Sequence, residues 1–383
     1  MRYIDDFRRA DLASQIVKGL ADTVDRKRSY RVMEFCGGHT HAIFRYALHD
    51  LVPDNIQFIH GPGCPVCVLP GGRIDMAIEL AQGHGVILCT YADLLRVPAG
   101  GRMSLMKARA EGADVRMIYS TQDALRIARE NPGRQVVFFA IGFETTTPPT
   151  AVAIKQARAE HLENFSVFCN HVLTPAAMRC LLETDTGANA LDGFLGPSHV
   201  SAVIGWQPYA TIAETWRRPV VIAGFEPLDI LQSTLMLVRQ INDGRYDVEN
   251  EYTRVVSRQG NTRAQALVDE VMELRDTFEW RGLGQVPDSA LSIRPGYAEF
   301  DAEQRFTLAE SNSRDIKACE CPNVLRGIMK PTDCTLFGIS CTPETPLGSC
   351  MVSSEGACAA YWIYRRSRQQ ADAQAVPVAE MPV

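Results

Sequence analysis

Long apolar runs are missing from this sequence of 383 residues. The longest, such as Val136 to Ile141, fall far short of the roughly 20 residues that cross a bilayer. The charged first residues lack the apolar segment of a secretory leader. Excess basic charge is missing too, because 39 Lys and Arg stand against 45 Asp and Glu, whereas nucleic-acid-binding domains usually carry a basic face. We therefore expect a soluble, cytoplasmic protein with no membrane and no nucleic-acid partner.

Nucleotide-binding motifs are also absent. Neither a Walker A pattern nor G-x-G-x-x-G occurs, so nucleotide binding is not predicted. Cysteine, in contrast, is plentiful, with 12 residues. The cytosol keeps thiols reduced, so metal or redox chemistry explains them better than structural disulfides do. They form two groups, at positions 36, 64, 67, 89, 169 and 180, and at positions 319, 321, 334, 341, 350 and 358.

The region from 30 to about 240 alternates short β-rich runs with helical stretches, which predicts an α/β fold with parallel strands. Candidate strands span 30–35, 56–60, 85–89, 115–119, 135–141, 165–169 and 219–223. Similar strand-end motifs recur at similar offsets in the two halves of this region. We therefore predict two related α/β domains that carry their functional loops at the carboxyl ends of the strands.

The remaining sequence predicts further parts. Residues 1–29 are expected to form a helix that packs on a third domain. The two α/β domains are assigned to 30–120 and 121–240. The third domain, mostly helical and irregular, is assigned to 241–364 and includes a helix over 262–280. Residues 365–383 are expected to be a disordered tail.

The C-terminal cysteines lie in Gly- and Pro-rich sequence without histidine and without paired C-x-x-C knuckles. Four thiolates from scattered loops favour an iron–sulfur cluster, with zinc or plain buried thiols as the alternatives. Cys319, Cys334, Cys341 and Cys358 offer one such set. Spacing alone leaves Cys321 and Cys350 as competitors for the same role.

Two further motifs carry thiols. Cys64 and Cys67 form a C-x-x-C at a strand-to-helix junction, where a helix N-terminus favours negative charge on a sulfur; such a pair can cycle between dithiol and disulfide. The segment Cys36-Gly37-Gly38-His39-Thr40-His41 places a cysteine at a strand end, available to bind iron or to act as a nucleophile. Half of a zinc site and a buried cysteine before a capped helix are the respective alternatives. His39 and His41 are candidate proton carriers or hydrogen-bond partners.

Two acidic residues also follow predicted strands. Glu144 and Glu226 are placed to accept protons or orient a thiol. Both are equally suited to capping a helix, and for Glu226 capping is the favoured interpretation. Cys89, Cys169 and Cys180 are expected to be core thiols.

Together, Cys36-Gly37-Gly38-His39-Thr40-His41, the run from Gly61 to Cys67, the run from Gly142 to Pro148 and the C-terminal cysteines resemble the HypD family of hydrogenase maturation factors. The match extends in order from about residue 30 to 362. It implies two α/β domains around a cleft and a third domain that binds a [4Fe–4S] cluster. The cluster pattern of the family falls on Cys319, Cys334, Cys341 and Cys358, and Cys36 matches the proposed iron ligand.

The resemblance further implies a redox-active assembly scaffold rather than a turnover enzyme. With a small HypC-type chaperone it holds iron, bound at Cys36, while the Fe(CN)2CO unit of [NiFe]-hydrogenase is assembled. A HypE-type partner delivers cyanide as an enzyme-bound thiocyanate. We expect electrons to pass from the cluster through Cys64 and Cys67 to the iron, with His39 and Glu144 assisting. The alternatives are an iron–sulfur dithiol/disulfide oxidoreductase and an interaction scaffold with a purely structural cluster.

Overall fold

A computed structural model describes residues 5–184, 190–309 and 316–364. Two parallel sheets organise the chain, in the strand orders β2-β1-β7-β8-β9 and β4-β3-β5-β6. The α/β class with parallel sheets is therefore confirmed. The strands are β1 (Tyr30–Glu34), β2 (Ile56–His60), β3 (Ile87–Thr90), β4 (Val115–Met117), β5 (Val136–Gly142), β6 (Phe165–His171), β7 (Gly193–Pro197), β8 (Val220–Ala223) and β9 (Val248–Asn250).

Helices connect most of these strands, as parallel pairing requires a crossover for each return. They are α1 (Ala10–Thr23), α2 (Gly37–Arg45), α3 (Leu48–Leu51), α4 (Pro65–Val68), α5 (Gly71–Gln82), α6 (Leu105–Ala110), α7 (Thr121–Glu130), α8 (Thr147–Ala159), α9 (Thr174–Thr184), α10 (Ser198–Ile204), α11 (Pro208–Trp216) and α12 (Pro227–Asp243), followed by α13 (Thr262–Val271), α14 (Ala302–Arg305), α15 (Cys321–Leu325) and α16 (357–364).

The division of the α/β region at residue 120 is wrong. The chain builds β1 and β2, crosses to the second sheet for β3 to β6, and returns to the first sheet at β7. Val32 of β1 pairs with Gly193 of β7, and Ile87 of β3 pairs with Val136 of β5. Each sheet therefore draws strands from both sequence halves. The first sheet also extends into the expected third domain, because β9 pairs with β8.

The N-terminal helix packs elsewhere than expected. Leu20 of α1 is fully buried in the core of the first sheet, together with Ile230 and Leu235 of α12. Burying this apolar face against α12 removes it from water, which is the driving force for such packing. The expectation that this helix packs on the third domain is therefore wrong.

The predicted helix over 262–280 ends at Val271. Short antiparallel pairs follow: β10 (Met272–Leu274) with β13 (Leu291–Ile293), and β11 (Thr277–Trp280) with β12 (Gly284–Pro287). Met272, Leu291 and Ile293 pack into the core of the second sheet, whereas Leu274 is 54% exposed. The segment predicted to form one helix is thus divided between α13 and the short strands β10 and β11.

The C-terminal cysteine segment combines short helices with turns. Cys321, Cys341, Cys350 and Cys358 share a core with Cys64 and Cys67 of the first α/β region. The expected tail at 365–383 lies outside the described residues. Within the described ranges, no helix has the length and apolar character needed to cross a bilayer.

Candidate functional site

The ends of β1, β7 and β8 place Cys36 at one edge of the first sheet. Cys36 is the N-cap of α2 and has extended backbone angles, with a half-buried side chain. The main-chain N–H groups of Gly38 and His39 donate to its thiol, which favours the thiolate. Burial and the nearby charges of Glu355 and Glu34 have a larger effect than these two hydrogen bonds and raise the pKa of Cys36. The thiol is therefore held in place but protonated until a partner or metal displaces the proton.

A buried carboxylate fixes the loop that carries Cys36. Glu34 is fully buried and accepts hydrogen bonds from the main-chain N–H of Cys36 (2.9 Å), the hydroxyl of Thr40 and Nδ1 of His60 (2.8 Å). Buried carboxylates require such partners. Neither Glu34 nor His60 was among the predicted site residues. The sequence feature that could have identified Glu34 is an acidic residue at the last position of an otherwise apolar, buried strand.

The two histidines of the motif have different surroundings. His39 is fully buried, with Nε2 3.0 Å from the carbonyl oxygen of Ala223 and 3.1 Å from that of Gly224. Burial lowers the pKa of His39 and favours the neutral ring. His41 instead contacts the hydroxyl of Tyr364 in α16. The structure therefore places His39, but not His41, among the strand ends next to Cys36.

The C-x-x-C loop lies directly against the Cys36 loop. The N–H of Gly37 donates to the carbonyl oxygen of Gly63 at 3.2 Å. A Cβ at Gly63 would overlap the main chain of Cys36, so only glycine allows this approach. Cys64 is the N-cap of α4, and its sulfur accepts from the N–H of Cys67 at 3.2 Å. The predicted strand-to-helix junction is confirmed.

Cys350 joins the two groups of cysteines. It is fully buried and lies within hydrogen-bonding reach of the thiols of Cys67, Cys321 and Cys358. These hydrogen bonds hold the pKa of Cys350 below its usual range, while burial and the neighbouring thiols raise the pKa of Cys67. Ser349 strengthens the junction, since its hydroxyl donates to the carbonyl oxygen of Cys67 at 2.9 Å.

A small cavity lies at the far end of this cysteine chain. Among its lining residues are Cys319, Cys334, Cys341 and Cys358, the four expected from the resemblance, together with Cys321. A Cβ at Gly348 would overlap the sulfurs of Cys319 and Cys321. Within the described ranges, no three His, Cys, Asp or Glu side chains converge on a point suited to one metal ion. A cluster is held by thiolates at separate iron atoms, so the cysteines among these lining residues offer the donor chemistry that a [4Fe–4S] group requires.

Glu144 lies at the end of β5 in the second sheet. It is buried, and its carboxylate accepts from the N–H (2.8 Å) and the hydroxyl (3.0 Å) of Thr174, so it caps α9. Burial nevertheless raises the pKa of Glu144 to about 7. A carboxyl group with this pKa can both take up and release a proton near neutral pH. The capping and proton-exchange interpretations of Glu144 are therefore compatible.

The remaining candidates occupy structural positions. Glu226 caps α12 and pairs with Arg8, which confirms the capping interpretation. Cys89 and Cys169 are fully buried, and burial raises their pKa values to about 12 and about 11. Both are core thiols as expected, whereas Cys180 is only half-buried.

These features define a thiol-rich α/β protein in which a cysteine at a strand end, a C-x-x-C pair and a cavity lined by several cysteines lie in one connected region. The model of the HypD family, described as the hydrogenase formation hypA family, matches residues 11–365. The hydrogenase maturation factor HypD of Azotobacter vinelandii is 62% identical over 372 residues, covering 96% of this chain and 98% of that protein. HypD of Escherichia coli K12 is 48% identical over 376 residues, covering 97% and 100%. The chain belongs to the HypD family of hydrogenase maturation factors.

Proposed function

We propose that this protein holds iron at Cys36 while cyanide and CO are attached, and that Cys64 and Cys67 supply electrons for the cyanide step. A HypC-type chaperone and a HypE-type cyanide donor are the proposed partners. The observation that carries the proposal is the unbroken series of sulfur contacts from the C-x-x-C pair through Cys350 to the C-terminal cysteines. A purely structural metal site has no need of such a series.

The role of Cys36 follows from its surroundings. The thiol is one soft ligand at a helix start, and a single protein thiolate leaves other positions on iron free for small ligands. Its hydrogen bonds with the N–H groups of Gly38 and His39 orient the sulfur before iron arrives. Loading of iron displaces the thiol proton, and the buried, neutral His39 keeps further positive charge away from the metal.

The electron balance of cyanide transfer matches a dithiol. An enzyme-bound thiocyanate that takes up two electrons separates into a thiolate and cyanide. Oxidation of Cys64 and Cys67 to a disulfide releases two electrons and two protons. The cyanide then binds iron, and the two protons pass to acceptors near the site. Glu144 is a candidate acceptor, because the pKa of its carboxyl is raised to about 7.

Cys319, Cys334, Cys341 and Cys358 are the residues proposed to hold the [4Fe–4S] cluster. When bound, such a cluster supplies electrons one at a time. Cys321 and Cys350 lie between this group and Cys67. Their thiols are therefore placed to exchange with the C-x-x-C pair and return it to the reduced form.

Infrared spectroscopy tests the proposal on protein purified without oxygen from cells that also make a HypC-type partner. We expect stretching bands for two cyanides and one CO, and loss of all of them in Cys36→Ala. In Cys64→Ser we expect an intact cluster chromophore without cyanide bands. Normal cyanide bands in Cys64→Ser would refute the dithiol step. A wild-type protein with its cluster but without any band would favour a dithiol/disulfide oxidoreductase instead.

A further inference from the structure

Three buried polar atoms near Cys36 have no hydrogen-bond partner among the described residues. They are Nδ1 of His39, Oγ of Ser198 and the hydroxyl of Tyr209. All three side chains are at most 1% exposed. Buried polar groups are nearly always paired, so these three groups need a partner that the chain itself does not supply, either water or a ligand. Orphaned groups at a binding site are expected when the ligand supplies the missing partner.

The sheet register brings Ser198 next to Cys36. Glu34 of β1 pairs with Leu195 of β7, so residues two and three positions further on, Cys36 and Ser198, lie at adjacent strand ends. The N–H of Phe35 continues the ladder by donating to the carbonyl oxygen of Leu195. Parallel strands place such ends on one edge of a sheet, which is where ligands bind in folds of this type.

Tyr209 reaches the same region from α11. Its hydroxyl lies within electrostatic range of both Cys36 and Glu144, so it lies between the functional ends of the two sheets. The neighbouring Ser201 hydroxyl already donates to the carbonyl oxygen of Pro197 at 2.8 Å. The Ser201 oxygen is close enough to interact with the Tyr209 hydroxyl, so a ligand bound here competes with it for the Tyr209 hydrogen.

His39 differs from the two hydroxyls. Its Nε2 faces two carbonyl oxygens and must carry the hydrogen. The orphaned Nδ1 then bears a lone pair and cannot donate. The Phe225 ring packs against His39 and His199, with its centroid 4.8 Å from that of His39 and 4.0 Å from that of His199. The region consequently offers two buried donors, Ser198 and Tyr209, behind aromatic walls.

We propose that the hydroxyls of Ser198 and Tyr209 donate hydrogen bonds to the cyanide ligands of iron held at Cys36. This inference rests on the proposed function. The nitrogen end of bound cyanide is a good hydrogen-bond acceptor, whereas the oxygen end of bound CO is a poor one. Two fixed donors therefore distinguish the positions of cyanide from that of CO and hold the unit in one orientation.

The test compares infrared spectra of the iron-loaded protein and its HypC-type partner. Ser198→Ala and Tyr209→Phe are each expected to shift one cyanide band and to leave the CO band nearly in place. Transfer into D2O is expected to shift the wild-type cyanide bands, and the double variant should lose that shift. Tyr30→Phe is the matched control, because the Tyr30 hydroxyl already donates to Asn242 at 2.6 Å.

A second readout uses the protein without iron. Removing an unpartnered buried hydroxyl costs little, so Tyr209→Phe is expected to melt at or above the wild-type temperature, and Tyr30→Phe below it. Cyanide bands unchanged in both site variants would overturn the inference and assign the two hydroxyls to water. Complete absence of bands in the wild type would instead overturn the proposed function, so the two failures are distinguishable.

Discussion

Replacing Glu34 by Gln tests whether this carboxylate holds the Cys36 loop. One carboxylate oxygen accepts from the N–H of Cys36, and the other from Thr40 and His60. The amide of the Gln variant retains one acceptor oxygen, and its NH2 group then faces the donor or donors that this oxygen does not accept from. If the oxygen keeps Thr40 and His60, the buried N–H of Cys36 loses its partner. One such orphan costs about 1–3 kcal/mol.

That energy converts into a measurable change in exposure. Because 1.4 kcal/mol is a factor of ten, local opening of the loop becomes about 5- to 150-fold easier. Alkylation of Cys36 by a small reagent, followed by mass spectrometry, should accelerate by a factor in that range. Glu160→Gln is the control, since Glu160 pairs with Arg129 on the surface. Equal alkylation rates in wild type and Glu34→Gln would refute the assigned role of Glu34.

Three further predictions concern neighbouring groups. Glu144→Gln should gain stability relative to wild type as pH rises from 5 to 8. The folded wild type binds the Glu144 proton more tightly than the unfolded chain does between pH 4.5 and about 7, so wild-type stability falls through that window by at most about 3 kcal/mol. Melting temperatures of variant and wild type that change in parallel with pH would contradict this. Gly63→Ala should lower the melting temperature through overlap with Cys36, by about 1–3 kcal/mol of stability, while Gly133→Ala, with open space at its Cβ, should not. Burial raises the pKa of Cys67, and its hydrogen bond with Cys350 raises that pKa further. Cys350→Ala should therefore move the pH midpoint of Cys67 alkylation downward, and an unchanged midpoint would show that the two thiols do not interact.

Local sequence was sufficient to locate most strands of the two sheets. Their buried β-rich runs end in Gly, Pro or His, and those signals act within a few residues. Sheet membership was not predictable in the same way. Strands buried on both faces look alike whichever sheet they join, and only pairings such as Val32 with Gly193 decide the matter. The division at residue 120 failed for this reason.

The site shows the same limit. Cys36, Cys64 and Cys67 were visible because glycine, proline and cysteine mark them within short motifs. The pair of Glu34 and His60 was not visible, because the two residues are 26 positions apart and meet only as cross-strand partners in β1 and β2. A prediction of that pair required the register of the sheet.

The crossing of the chain between the sheets explains how polar residues that are distant in sequence meet at the carboxyl ends of the strands. Because β3 to β6 are inserted between β2 and β7, the strand ends that carry Cys36 and Ser198 meet from distant parts of the sequence, and α4 with Cys67 packs against β5 of the other sheet. Glu34, His39 and Glu144 are all buried at such ends. Each costs stability that an apolar residue would not, and departures from good packing are expected where function requires them. The polar groups buried near Cys36 therefore favour a site built for a ligand over a cysteine that merely packs in the core.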